Sequence, residues 1–114
     1  MRNIVLLAFA GVLSTGAAQA DGKLNIYNWS DYIAEDTIAN FKAETGIDVT
    51  YDVYDSNEIL EAKMSAGSSG YDLVVPTADF LARGRQAGVY AEVDFSRIPN
   101  AKNQSGQVQA LANK

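Results

Sequence analysis

Between Lys23 and Val75, three short β-prone runs alternate with two stretches of helical character, and neither gap is short enough for a hairpin. Strands joined across such gaps run parallel, because a parallel pair needs a long crossover, usually a helix. Lys23-Leu24-Asn25-Ile26-Tyr27 alternates polar and apolar side chains and is predicted as the first strand. Asp48 to Tyr54 alternates strictly and is predicted as the second, and the apolar Asp72-Leu73-Val74-Val75 as a buried third. Glu35 to Thr45 carries Ile38 and Phe41 at helical spacing and meets Gly46, a good terminator. Asp55 or Ser56 is placed to cap a second helix with Ile59, Leu60 and Met64 as its stripe and Gly67 as its stop.

Ser65 to Gly70 is Gly-rich but lacks the Gly-Lys-Ser/Thr ending of a phosphate loop and precedes a strand, so it reads as a turn. After Pro76, Thr77 is placed to cap a third helix over Ala78 to Ala87. Val89 to Val93 is predicted as one more short strand, and Gln107 to Asn113 as a weak terminal helix. The expected fold is α/β, an open parallel sheet with helices on both faces and no internal repeat or boundary.

The first twenty residues read as an export signal. Arg2 supplies the positive start, Ile4 to Leu13 is almost wholly apolar, and Ala18-Gln19-Ala20 is an A-x-A cleavage site. That run is shorter than the roughly 20 apolar residues that span a bilayer. The expected division is a signal peptide at 1–20 and a folded part at 21–114. With no Cys in the chain, disulfides, thiolate metal sites, Cys nucleophiles and a lipid-anchored lipoprotein are not expected. With no His, the usual nucleophilic triads and the commonest metal ligand are missing too. Nine basic against fourteen acidic residues disfavour nucleic acid and anionic membrane as partners and modestly favour cationic ligands. An enzyme using Asp31 or Asp72 as a catalytic acid has no supporting His, Cys or phosphate loop.

Asn28-Trp29-Ser30-Asp31-Tyr32 follows the first strand and puts two aromatic faces, a hydroxyl and a carboxylate close together. Ring faces attract an organic cation and a carboxylate neutralises it. The plainer reading is a strand end whose aromatics pack and whose Ser-Asp begins a turn. Open parallel sheets bind ligands at the carboxyl ends of their strands. Pro76-Thr77-Ala78-Asp79 ends the third strand, and in a 2-1-3 sheet it would lie beside the pentapeptide, lining one crevice with it.

Ile26 to Ile33, then Asp36 to Phe41 with Glu44 to Ile47, resembles the start of periplasmic polyamine-binding proteins, the substrate-capturing subunits of polyamine ABC importers. The likeness continues through Tyr51 to Glu58 and Ala66 to Pro76, fades after about Lys102, and leans to the putrescine-binding branch. It implies a type II periplasmic solute-binding fold, of which residues 21–114 would be the amino-terminal part of the first three-layer lobe, incomplete here. It implies ligand contacts from Trp29, Ser30, Asp31, Tyr32 and Thr77. Asp79 departs from the small polar residue expected there, and is read as a helix cap ahead of a second anion for a longer polyamine.

By the same resemblance the ligand is putrescine or spermidine, the partner an inner-membrane ABC permease, the location periplasmic and the protein a monomer. No cofactor, metal, nucleic acid or catalysis is implied. Family members run to roughly three times this length, so a truncated, non-binding remnant is one alternative and a binder of another cationic solute is the other.

Overall fold

The computed structural model describes residues 22–112. The signal peptide expected at 1–20 lies outside the described residues. Strand β1 (Lys23–Trp29) is central in a parallel sheet, with β2 (Asp48–Tyr54) on one side and β3 (Leu73–Val74) on the other. The order β2-β1-β3 is the one that brings the first and third strand ends together. Helices α1 (Thr37–Thr45) and α2 (Asn57–Ser65) make the two crossovers, and α3 (Ala78–Gln86) follows β3. Two short 3-10 turns at Phe95–Arg97 and Pro99–Asn103 precede α4 (Gly106–Ala112).

β1 runs two residues beyond its expected end because Asn28 and Trp29 continue the ladder opposite Val53 and Tyr54. β3 is shorter than expected: Pro76 has no N–H to extend it, and the Val75 carbonyl is taken by side chains. Asp72 closes the entry to this pairing twice. Its N–H donates to the Asn25 carbonyl at 2.8 Å, and its carboxylate accepts the Asn25 N–H at 2.8 Å.

Alternation along the strands puts Tyr27, Trp29 and Tyr54 on one face, where α2 packs through Leu60 and Met64. The core there is aromatic. Tyr27 stacks on Tyr71 with centroids 4.6 Å apart and meets Tyr54 edge-on at 4.7 Å. On the opposite face, Ile38 of α1 borders a cavity shared with Tyr51, while Val53 and Leu73 are each left 51% exposed.

The helix ends follow local chemistry. Ser56 caps α2, its Oγ accepting the Ile59 N–H at 3.3 Å. α1 starts at Thr37, later than Glu35, with Asp36 at its head accepting the Asn40 Nδ2–H at 3.1 Å. The strand expected over Val89 to Val93 does not form. The Val89 N–H donates to the Gly84 carbonyl at 2.9 Å, so the chain closes the end of α3 instead of joining the edge of β3. Tyr90 then drops onto Gly84, where a Cβ would stand 2.3 Å from the ring. α3 is further tied to α2 by Arg83, which lies 3.8 Å from Glu61 and 3.8 Å above the Phe80 ring.

Leu60 is 1% exposed at the centre of this small core. Leu60→Ala is expected to cost about 2–5 kcal/mol, since a core this thin has few neighbours to fill the gap. An unfolding free energy, measured by urea titration, that falls by less than a quarter of that amount would show that α2 does not carry the fold.

Candidate functional site

The pentapeptide divides between strand and loop. Asn28 and Trp29 belong to β1, while Ser30 to Tyr32 turn away from it. Asn28 is buried and satisfied, its Nδ2 donating to the Tyr51 hydroxyl at 2.9 Å and its Oδ1 accepting the Trp29 N–H at 2.8 Å. The indole Nε1 of Trp29 donates to the Val75 carbonyl at 2.8 Å, and the Tyr54 hydroxyl donates to the same oxygen at 2.5 Å. Trp29 and Tyr54 also pack ring on ring, 4.8 Å between centroids. One carbonyl at the end of β3 thus holds side chains from β1 and β2, and the loops after β1 and β3 lie side by side.

Ser30 continues this register, its N–H donating to the Tyr54 carbonyl at 3.4 Å and its hydroxyl to Asp55 Oδ1 at 3.0 Å. Asp31 takes a left-handed backbone, φ +60°, which Asp tolerates better than most residues. Its exposed carboxylate has no hydrogen-bond or ionic partner among the described residues. Tyr32 is 65% exposed, with its ring 6.1 Å from Trp29. Asp31 and Tyr32 line a cavity of about 200 Å³ with Ile33, Glu35, Ile38 and Tyr51. Glu35 and Tyr51 were not among the residues singled out from sequence, although strand parity puts Tyr51 on the face turned toward α1.

Thr77 stands at the head of α3, but its hydroxyl does not cap the helix as expected. It donates to Asp79 Oδ1 at 2.6 Å, a charge-assisted bond that fixes the hydroxyl's orientation beside the carboxylate. The Thr77 hydroxyl first, and then the Asp79 and Phe80 backbone, hold the Asp79 carboxyl below its ordinary range. The Thr77 N–H donates to Asn57 Oδ1 at 3.0 Å. Thr77 and Asp79 do not line the cavity bounded by Asp31 and Tyr32. The structure therefore joins Trp29 to the β3 loop and sets Asp31 and Tyr32 on the adjoining side.

The hydrogen-bond directions decide what such a surface can hold. Ser30 and Thr77 both donate their protons to carboxylates, so each oxygen keeps lone pairs for an incoming donor. Asp31 adds a free acceptor, and Trp29 and Tyr32 add ring faces. This is a set of acceptors and π-surfaces, suited to ammonium groups. Among the described residues, no group of three or more His, Cys, Asp or Glu is arranged to hold a metal ion, and no helix is long and apolar enough to cross a membrane.

This parallel lobe of order 2-1-3 is similar to part of known periplasmic substrate-binding proteins. The chain is 56% identical over 103 residues to the putrescine-binding periplasmic protein SpuD of Pseudomonas aeruginosa and 55% identical over 103 residues to PotF of Escherichia coli, a protein of the same description. Each match takes in 90% of this chain but 28% of the relative, so the chain spans little more than a quarter of their length and corresponds to their amino-terminal portion. Among solved structures, the spermidine/putrescine substrate-binding protein PotD of Streptococcus pneumoniae superposes with a TM-score of 0.74 at 33% identity, covering 77% of this chain and 27% of that one. The Treponema pallidum lipoprotein Tp0655 (TpPotD) gives a TM-score of 0.73 at 40% identity, covering 77% and 28%.

A family model described as hypothetical lipoprotein (MG045 family) matches residues 1–114, and the chain belongs to that family. The word lipoprotein describes the family; these 114 residues contain no cysteine to carry a lipid.

Two tyrosines give the site's frame a pH signature. Burial pushes the Tyr54 hydroxyl up to about 12, and donation to Asp52 at 2.7 Å pushes Tyr71 up to about 12. An unfolded tyrosine titrates near pH 10, so the stability tied to both protonated hydroxyls is complete below about pH 10 and is lost as pH rises toward 12. Urea midpoints measured across that window are expected to fall, and to fall less in the Tyr54→Phe, Tyr71→Phe double variant. An equally steep fall in that variant would assign the loss to other groups.

Proposed function

We propose that this chain forms one wall of a periplasmic polyamine site that serves an ABC importer, with putrescine or spermidine as ligand. The observation that carries the reading is the Trp29–Tyr32 loop, rich in acceptors and ring faces and tied to the β3 loop through Val75. The 56% and 55% identical relatives are both putrescine-binding proteins, which supplies the ligand class.

In this reading Asp31 pairs with a terminal ammonium and Ser30 helps orient it, while Thr77 offers a further acceptor from the β3 loop. Trp29 and Tyr32 cover the methylenes and face the charge, each cation–π contact being worth about 0.5–2 kcal/mol. Asp79 acts by holding the Thr77 proton, which leaves the Thr77 oxygen an acceptor. The part played is capture and delivery without catalysis, by a monomer. A linear diamine has a charge at each end, so one wall grips one end and an opposite wall must take the other. Closure of two lobes over the ligand would then be the signal the permease reads.

The test is a chimera in which residues 21–114 replace the matching portion of the Pseudomonas relative, titrated calorimetrically with putrescine and spermidine. Binding of at least one amine is expected, and Asp31→Ala is expected to weaken it about 10- to 150-fold, the equivalent of a 1.5–3 kcal/mol charged hydrogen bond. A folded chimera that binds neither amine would overturn the polyamine reading. One that binds with Asp31→Ala unchanged would remove Asp31 from the site.

A further inference from the structure

β3 is a two-residue strand, so backbone ladder bonds alone do not fix the segment that follows it. Three side chains from three other elements act on Val75 to Thr77. Trp29 from β1 and Tyr54 from β2 donate to the Val75 carbonyl, and Asn57 from α2 accepts the Thr77 N–H at 3.0 Å. The first two share one acceptor, so losing either leaves the other in place. The third is different. Thr77 has one N–H, Pro76 before it has none, and Asn57 Oδ1 is the acceptor that N–H has. Asn57 is itself held at the first turn of α2, next to Ser56, whose Oγ caps the helix, and half-buried against the groove between α2 and α3.

We propose that Asn57 is a positioning residue of the ligand site. By accepting the Thr77 N–H it sets the backbone from which the Thr77 hydroxyl meets Asp79 and presents its lone pairs. Asn57 touches no ligand in this scheme; it acts through Thr77. The proposal rests on the polyamine reading for its ligand, but its structural half stands without it. The acceptor alone matters, since the Thr77 bond uses Oδ1 and not the amide nitrogen. A carboxylate at the same place keeps that acceptor and suits the positive end of a helix. A leucine keeps the volume and removes it.

The experiment uses the ¹⁵N-labelled full chain as wild type, Asn57→Leu, Asn57→Asp and Tyr54→Phe. Amide exchange at Thr77 is followed alongside that of β1, and putrescine affinity is measured calorimetrically after the same substitutions are placed in the chimera of residues 21–114 with the Pseudomonas relative. Asn57→Leu is expected to speed Thr77 exchange at least tenfold with β1 exchange unchanged, and to weaken putrescine at least tenfold. Asn57→Asp is expected to restore both to within about threefold of wild type. Tyr54→Phe is expected to have the smaller effect on Thr77, because Trp29 still holds Val75. Thr77 exchange that is unchanged in Asn57→Leu, or a putrescine affinity equal to wild type in that variant, overturns the proposal. So does an Asn57→Asp chain that behaves like Asn57→Leu. A wild-type chimera that ignores putrescine while Thr77 exchange in the chain responds as expected overturns the polyamine reading and supports the positioning bond, so the two failures are distinguishable.

Discussion

The Val75 carbonyl is where the three strands are made into one site. Its oxygen, just past the end of β3, accepts the Trp29 indole and the Tyr54 hydroxyl, at 2.8 and 2.5 Å, from the other two strands. A parallel sheet with a two-residue third strand has little backbone ladder to hold the loop beyond it. Aromatic residues with a polar handle answer that problem, because the ring fills the core while the handle reaches a carbonyl at its rim. The same residues that build the Tyr27–Tyr54–Leu60 core therefore also fix where the β3 loop begins.

The fixed frame decides the chemistry around it. Ser30 is held to Asp55 and Thr77 to Asp79, and in both pairs the hydroxyl gives up its proton to a carboxylate. What faces outward is acceptor-rich and flanked by rings, with the left-handed Asp31 free at the tip. Such a surface recognises a donor-only group, and a primary ammonium is the simplest one. An anionic solute would meet lone pairs and carboxylates that repel it.

Much of this was legible from residue types. The alternation from Asp48 to Tyr54 marked β2 at both ends, and Ser56 was readable as a cap. The crossover lengths required parallel pairing, and the order β2-β1-β3 followed the doubly wound pattern. Legibility ended where several partners were open to a residue and only the folded chain selects one. Val89 to Val93 has strand-like composition, but its first N–H is taken by Gly84 and its tyrosine by the space Gly84 leaves. Thr77 has a capping residue's chemistry, but its hydroxyl is oriented by donation to the Asp79 carboxylate and makes no cap bond. Asn57 reads as an ordinary helix-start residue, and nothing local announces that its oxygen serves a residue twenty positions away.

Sequence alone determined the class of fold, the placing of the polar aromatic loop at a strand end and the lack of His and Cys for the commonest catalytic devices. These follow from local periodicity and composition, which need no knowledge of distant contacts. Tertiary structure alone decided that Trp29 directs its indole N–H to Val75, that Asp31 stands free while Asp79 is engaged, and that Asn57 holds Thr77. Hydrogen-bond direction is the reason. A side chain's type states what it can donate or accept, but only the folded neighbourhood states which of those valences are already filled.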